Sequence, residues 1–200
     1  PMSGHWIQTF TGKAFSPLEP RIEDLDIVDI AHALSYQCRY TGHVSRFYSV
    51  AEHSVRVSRE VERIADKCSW TEEACLIAVK WGLAHDATEA YMSDLSHPLK
   101  THPDMAPYRV AELKLAGVIA AWLGLPSAQP KLVGIIDAEI IGLEAHQLRR
   151  PLRPEWEVPE VWPGHYYLGW TPEVAERNFL QRFRRLWGSV GNYTDAKGYP

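Results

Sequence analysis

The sequence predicts an all-α protein. Apolar residues recur every 3.6 residues or so in several separate segments, and no stretch keeps the period-two alternation of a half-buried strand. No internal repeat is found, and 200 residues, 46% of them hydrophobic, suffice for one well-packed core. We therefore expect a single domain over residues 1–200, with Pro1 as a residue added before Met2 and residues 188–200 as a loose tail.

Three helices are predicted in the first half of the chain. Residues 22–38 place an acidic first turn before apolar residues at helical spacing, which favours a helix start. The same spacing predicts a helix over residues 49–67. A third helix, over residues 71–86, opens with Thr71 as N-cap and early negative charge. Residues 39–47 are predicted to form a loop that carries side chains toward the start of the second helix.

The second half of the chain is predicted to hold three more helices. Residues 92–107 contain three prolines, which exclude one continuous helix and indicate a loop that crosses the site. Helical periodicity returns over residues 108–123 and 130–148. Residues 151–170 combine four prolines with three tryptophans and are predicted to be extended and packed by aromatic side chains. Residues 171–187 form a last helix, capped by its threonine and with proline in its first turn.

Charge and cysteine content narrow the classes of function. The net charge of −4 argues against a broad binding surface for duplex nucleic acid, but it does not exclude a local basic pocket for one small anion. No apolar run reaches 18 residues without charge, so no membrane span is predicted. Cys38, Cys68 and Cys75 show no C-x-x-C spacing and no secretory leader precedes them, which predicts buried, reduced thiols in a cytoplasmic protein.

An adjacent histidine and aspartate, His85 and Asp86, stand at the end of an apolar helical run. Neighbouring residues of a helix point about 100° apart, so this imidazole and carboxylate can occupy adjacent corners of one coordination sphere. His53 upstream and Asp137 downstream lie in other apolar helical runs. Each would then contribute one ligand from a different helix, which predicts a metal site with His53, His85, Asp86 and Asp137 as ligands.

Each of these residues also has an ordinary structural explanation. A single histidine on an apolar helix is more often a hydrogen-bonded core residue, and Asp137 by itself could pair with an arginine. Only the ordered set favours a metal. Two imidazoles and two carboxylates suit Co²⁺, Mn²⁺, Zn²⁺ or Fe²⁺, and a six-coordinate ion would keep positions open for water and a phosphoryl oxygen.

The order of these ligands resembles that of the HD-domain metal-dependent phosphohydrolases. The resemblance implies an HD-domain helical bundle with the metal site at its centre. Residues 85–89 match the pattern H-D-x-x-E of the bacterial HD-domain 5′-deoxynucleotidases, which implies that Glu89 is the catalytic carboxylate that activates water. Without the neighbouring ligands, Glu89 could equally be an exposed helix carboxylate.

The same resemblance implies residues that bind substrate. Residues 94–100 match the family's D-L-x-x-P-x-K, which implies that Asp94 lies near the scissile phosphate, as proton donor to the leaving oxygen, and that Lys100 holds phosphate. Arg39 and Tyr40 match an Arg-aromatic pair that holds phosphate and sugar, with Tyr where Trp is more familiar. A guanidinium forks onto phosphate oxygens and an aromatic face stacks on a base or sugar. The alternative is a surface arginine beside a core tyrosine.

The resemblance covers about residues 39–137 and implies hydrolysis of (deoxy)nucleotide phosphate esters, with purine deoxynucleotides favoured. Two reactions are open: dATP to deoxyadenosine plus triphosphate, or a deoxynucleoside monophosphate to deoxynucleoside plus phosphate. The alternatives are an HD module that senses a nucleotide without turning it over, and a cyclic-nucleotide or guanosine-tetraphosphate hydrolase. A homo-oligomer is also expected, through the aromatic C-terminal region.

Overall fold

The architecture comes from a computed structural model, which describes residues 4–149, 153, 155 and 167–188. The described chain is mostly helical, which confirms the predicted all-α class. Its helices are α1 (Ile27–Tyr36), α2 (Val50–Ala65), α3 (Glu72–Ala84), α4 (Glu89–Met92), α5 (His97–Lys100), α6 (Ala106–Trp122), α7 (Lys131–Leu148) and α8 (Pro172–Trp187).

The helix starts follow the capping residues. The side chains of Thr71 and Thr171 accept hydrogen bonds from backbone N–H groups three residues on, as predicted for α3 and α8. Asp26 caps α1 by accepting a hydrogen bond from the N–H of Val28, two residues on. This cap corrects the predicted helix over residues 22–38, because the chain makes a 3-10 turn at Ile22–Asp24 and starts the α-helix anew at Ile27.

A small antiparallel hairpin precedes the helices, and the sequence did not predict it. Its strands β1 (Ile7–Gln8) and β2 (Ala14–Phe15) have two residues each, too few for an alternating pattern. Phe15 is fully buried and stacks on Tyr91 of α4, with ring centroids 3.9 Å apart. The hairpin turn is tied to α1 because Thr11 donates to both carboxylate oxygens of Asp29.

The predicted loop over residues 92–107 contains short helices. Helix α5 and a 3-10 turn at Pro103–Met105 lie within it, and α6 starts at Ala106. Its prolines occupy first-turn positions, where the missing N–H leaves no intrahelical bond unmade. The predicted extended segment over residues 151–170 and the predicted tail over residues 188–200 lie almost entirely outside the described residues.

Helix α2 is central in the bundle and packs against α1, α3, α7 and α8. It lies very close to α3 at Gly82, where an added Cβ would lie 2.9 Å from the Cα of Ser58. Only glycine allows this spacing. This close approach brings the end of α3, which His85 and Asp86 follow, near the first turn of α2, which carries His53.

Helix α8 is fastened to α2 by a buried arginine. Arg182 donates to the side-chain oxygen and the carbonyl of Ser58 and to the carboxylate of Glu62, at 2.9 to 3.1 Å.

Among the described helices, none combines the length and the apolar character needed to cross a membrane. The predicted burial of the cysteines is wrong for Cys68, which is exposed, while Cys38 and Cys75 are half-buried.

Candidate metal centre

Two histidines and an aspartate meet in the interior of the bundle. His53 lies in the first turn of α2 and is fully buried, while His85 and Asp86 directly follow the last residue of α3. The Nε2 atom of His53 is 3.3 Å from Nε2 of His85 and 3.7 Å from Oδ2 of Asp86. The Nε2 atom of His85 is 3.2 Å from the same oxygen. These three residues form a buried cluster that could hold a metal ion.

Helix α7 adds a second carboxylate to this cluster. Oδ1 of Asp137 lies 3.0 Å from Nε2 of His53 and 3.9 Å from Nε2 of His85. His53, His85 and Asp86 form the group that could hold a metal ion, and Asp137 contacts its two histidines. All four predicted ligands thus lie in one part of the bundle. They come from α2, from the residues that follow α3, and from α7.

The spacing of His53, His85 and Asp86 fits a divalent transition cation. Ligand atoms about 2.1 Å from such an ion lie roughly 3.0 Å apart at adjacent octahedral corners and roughly 3.4 Å apart in a tetrahedron. The separations among the nearest ligand atoms of these three residues run from 3.2 to 3.7 Å. Imidazole nitrogen with carboxylate oxygen is also a donor set that these cations accept.

Both imidazoles are held with Nε2 toward the centre of the cluster. The Nδ1 atom of His53 is 2.6 Å from Oε1 of Glu144, and that of His85 is 3.0 Å from the carbonyl oxygen of Gly82. Since each Nδ1–H donates to its acceptor, Nε2 is the nitrogen of each ring that can offer a lone pair to a cation. Metal-binding histidines are commonly fixed by such an outer hydrogen bond.

Glu144 is the residue of this site that the sequence analysis missed. Its side chain is fully buried on α7, and it accepts hydrogen bonds from the hydroxyls of Tyr40 at 2.5 Å and Tyr48 at 2.8 Å. The guanidinium of Arg39 lies 3.4 Å from it. A signal existed in the sequence, because Glu144 follows Asp137 by two helical turns and so shares its face of α7.

The charges of the cluster stabilise one another. Burial and Arg39 both act to lower the pKa of His53, but Glu144 and Asp137 outweigh them and raise that pKa to about 9. Burial would raise the pKa of Glu144, yet Arg39 and His53 lower it to about 2. Near neutral pH both ring nitrogens of His53 therefore carry a proton, Nδ1 toward Glu144 and Nε2 toward Asp137, and cation binding at Nε2 has to release the second of these protons.

The predicted catalytic carboxylates lie beside the cluster. Glu89, the first residue of α4, is 6% exposed, and its Oε2 has no hydrogen-bond partner among the described residues. Burial, together with the charges of Asp86 and Asp94, raises the pKa of Glu89 to about 9. Burial also raises the pKa of Asp94. Gln37 bridges the two, since its side chain bonds the carbonyl of Glu89 and the N–H of Asp94.

Arg39 and Tyr40 reach the same cluster from a short turn between α1 and α2. A terminal nitrogen of Arg39 is 3.5 Å from Oδ2 of Asp86, and its buried Nε has no partner among the described residues. Tyr40 and Thr41 both have left-handed φ values, 58° and 54°. Arg39 thus faces the site as predicted, while stacking of Tyr40 on a base or sugar stays a prediction.

Lys100 lies on α5 and is paired with a residue of α6. Its Nζ is 2.6 Å from the carboxylate of Glu112. Burial acts to lower the pKa of Lys100, but Glu112 raises it above the ordinary value, so the side chain is charged at neutral pH. Its predicted role in holding phosphate is not tested by this contact and stays a prediction.

The chain has relatives with similar sequences along most of its length. It is 35% identical over 185 residues to the uncharacterized protein YfdR of Escherichia coli (strain K12), an alignment that covers 90% of this chain and 95% of YfdR. The chain belongs to the YfdR family. It is also 29% identical over 156 residues to the uncharacterized protein RCAP_rcc00048 of Rhodobacter capsulatus, across 74% of each protein. No family model matches the chain.

Proposed function

We propose that this member of the YfdR family is a metal-dependent phosphohydrolase of deoxynucleotides, built on an HD-domain bundle. The observation that carries the proposal is the cluster itself, in which two imidazoles with outward-facing Nδ1–H groups turn Nε2 toward two carboxylates. Beside it, Glu89 is buried with an oxygen that has no partner among the described residues. A purely structural metal site would have no use for that carboxylate.

The ligands in this proposal are His53, His85, Asp86 and Asp137, and the cation is Co²⁺, Mn²⁺, Zn²⁺ or Fe²⁺. When bound, such a cation supplies a Lewis acid beside the phosphoryl group and offsets the negative charge of the carboxylates. The four side chains provide the positions, and their outer hydrogen bonds keep the two imidazoles from turning away.

Two carboxyl groups move protons in the proposed reaction. Glu89 accepts a proton from the attacking water, a role that its burial next to the cluster supports. The repulsion from Asp86 that helps to raise the pKa of Glu89 is offset once positive charge occupies the cluster. Asp94 donates a proton to the leaving oxygen, and its raised pKa favours the protonated form that a donor needs.

Basic side chains hold the phosphate in this proposal. Arg39 is fixed by Asp86 and Glu144 with its Nε still without a partner among the described residues, so the guanidinium is oriented before substrate binds. Lys100 adds a second positive charge at the edge of the site, and Tyr40 stacks on the sugar or base. The favoured substrates are purine deoxynucleotides, as monophosphates or as dATP.

A product analysis tests the proposal. Purified protein is freed of metal with a chelator, restored with Co²⁺ or Mn²⁺, and incubated with dAMP, dATP, other deoxynucleoside monophosphates and cyclic AMP. We expect metal-dependent product, orthophosphate from a monophosphate or triphosphate from dATP. Asp86→Asn should lose at least 100-fold in kcat/KM, whereas Asp104→Asn, at a side chain 89% exposed and outside the site, should not.

Three outcomes would contradict the proposal. Full activity of Asp86→Ala or of the chelated protein would remove the metal mechanism. Tight nucleotide binding without product under any of the metals would instead support a nucleotide-sensing module, and turnover of cyclic AMP alone would support a cyclic-nucleotide phosphodiesterase.

A further inference from the structure

The carboxylate of Glu144 receives more hydrogen bonds than its neighbours in the site. One oxygen accepts from Nδ1 of His53 and from the Tyr48 hydroxyl, and the other accepts from the Tyr40 hydroxyl and faces the guanidinium of Arg39. The side chain is fully buried, so no solvent competes for these contacts. One carboxylate therefore touches a candidate metal ligand and the candidate phosphate-binding turn together.

The contact with His53 decides which ring nitrogen faces the cluster. With Nδ1–H donating to Glu144, only Nε2 is left to bind a cation. A carboxylate as acceptor also makes the imidazole a stronger donor to a metal than a neutral acceptor does. If Glu144 is replaced, the ring gains freedom to rotate and loses that electronic support.

The contacts with the tyrosines hold an unfavourable turn. Tyr40 and Thr41 carry left-handed φ values, which cost on the order of 1–2 kcal/mol for each residue other than glycine. Such a conformation persists only where the surroundings impose it. The Tyr40 hydroxyl bond to Glu144 imposes it from one side, and the Arg39 side chain next to it is held by the same carboxylate.

We propose that Glu144 is a positioning residue that fixes Nε2 of His53 toward the metal and seats the Arg39–Tyr48 segment against the same centre. This inference rests on the proposed function, which makes the cluster around His53 a metal site. Glu144, which is not itself a metal ligand, then sets both the metal affinity of the site and the placement of Arg39.

Titration of metal-free protein with Co²⁺ alone, followed by visible absorption against a competing chelator, tests the first part. We expect Glu144→Gln, which keeps an acceptor oxygen but no charge, to bind Co²⁺ about 10-fold more weakly than the unaltered protein, and Glu144→Ala about 100-fold more weakly. Glu139→Gln makes the same change on the same helix outside this network and should bind as the unaltered protein does.

Hydrogen–deuterium exchange of the same proteins tests the second part. Peptides over residues 39–48 should exchange faster in Glu144→Gln than in the unaltered protein or Glu139→Gln, while peptides of α8 should not change. A role that is merely structural would instead lower the melting temperature and speed exchange throughout the chain. Equal Co²⁺ affinity or equal exchange of residues 39–48 in Glu144→Gln would overturn the proposal.

A measurement on the unaltered protein covers the case in which the variants fail to fold. Nitrogen-15 NMR of the Zn²⁺-loaded protein should show His53 protonated at Nδ1 and bound through Nε2, and binding through Nδ1 would overturn the proposal. If the unaltered protein binds neither Co²⁺ nor Zn²⁺, the proposed function fails at the metal site itself. Failure of the Glu144 inference alone leaves the unaltered protein binding metal as tightly as the variants do.

Discussion

At the scale of single residues, Glu89 is a carboxyl group that is both buried and close to other negative charges. The carboxyl group is 6% exposed, faces the charges of Asp86 and Asp94, and has a pKa raised to about 9 from an ordinary 4.5. The folded protein keeps this proton over a pH range in which the unfolded chain releases it. Because the unfolded state binds fewer protons there, stability falls as the pH rises from about 4.5 toward 9.

Because ionising this buried carboxyl group is unfavourable, we predict that Glu89→Gln stabilises the metal-free protein but lowers its activity. The amide carries no charge to desolvate, so the free energy of unfolding at pH 8 should rise by on the order of 1–2 kcal/mol. Near pH 4 the gain should vanish, since the glutamate is then mostly protonated in both states. Urea unfolding at both pH values measures the difference, and a gain of equal size at pH 4 would contradict the assigned cause.

The same variant separates stability from chemistry. If Glu89 accepts a proton during the reaction, Glu89→Gln should lower kcat by about 100-fold or more while Co²⁺ affinity changes little. A side chain that only supported the fold would not combine higher stability with lost turnover. Enzymes commonly show this trade-off at residues placed for function.

At the scale of secondary-structure elements, the spacing between α2 and α3 sets the distance between the two histidines. Gly82 allows the close approach, and its carbonyl oxygen accepts the Nδ1 proton of His85. One glycine therefore serves packing and ligand orientation together. The Arg182 contacts with Ser58 hold α8 against the same stretch of α2.

Gly82→Ala should separate α2 from α3. The added Cβ would meet the backbone of Ser58 at 2.9 Å, so we expect a loss of about 1–3 kcal/mol in the free energy of unfolding and weaker Co²⁺ binding. Gly117→Ala is the matched control, because a Cβ on that mid-helix glycine of α6 meets no atom within 4 Å. It should stabilise by about 0.5–1 kcal/mol. Unchanged stability in Gly82→Ala would contradict the packing argument.

At the scale of the whole molecule, the candidate metal centre joins parts of the chain that are far apart in sequence. The ligands come from α2, from the residues after α3 and from α7, and the outer contacts add the turn before α2. A cation at this point would bind the folded state and not the unfolded chain. Its binding free energy then adds to the stability of the entire bundle.

Metal addition should therefore raise the melting temperature. Free Co²⁺ at 100 times its dissociation constant adds about 2.7 kcal/mol, which corresponds to roughly 5–10 °C for a chain of this size. Differential scanning fluorimetry with Co²⁺ and with excess chelator measures the shift. In Asp86→Asn the shift should largely disappear, and an equal shift in that variant would place the metal elsewhere.

The predicted homo-oligomer and the absence of duplex nucleic acid binding stay predictions.

The features that the sequence predicted correctly depend on neighbours along the chain. The helix periodicity, the caps at Thr71 and Thr171 and the His85–Asp86 pair all follow from interactions within a few residues. The sequence also pointed to His53, His85 and Asp86, the three residues of the group that could hold a metal ion, because their ordered spacing is a pattern along the chain. Asp137 as a fourth ligand stays a prediction. The predicted start of α1 is too early, because the acidic residues before it form a separate 3-10 turn at Ile22–Asp24.

The sequence by itself determined the helical class and the donor atoms that meet at the candidate centre. Tertiary structure alone decided that Glu144 accepts a hydrogen bond from Nδ1 of His53, that Gln37 bridges Glu89 and Asp94, and that Cys68 is exposed. The physical reason is that these contacts join residues 52 to 91 positions apart, or depend on which face a neighbouring helix covers. Periodicity fixes the face of one helix, whereas the partner of that face is chosen only when the helices pack.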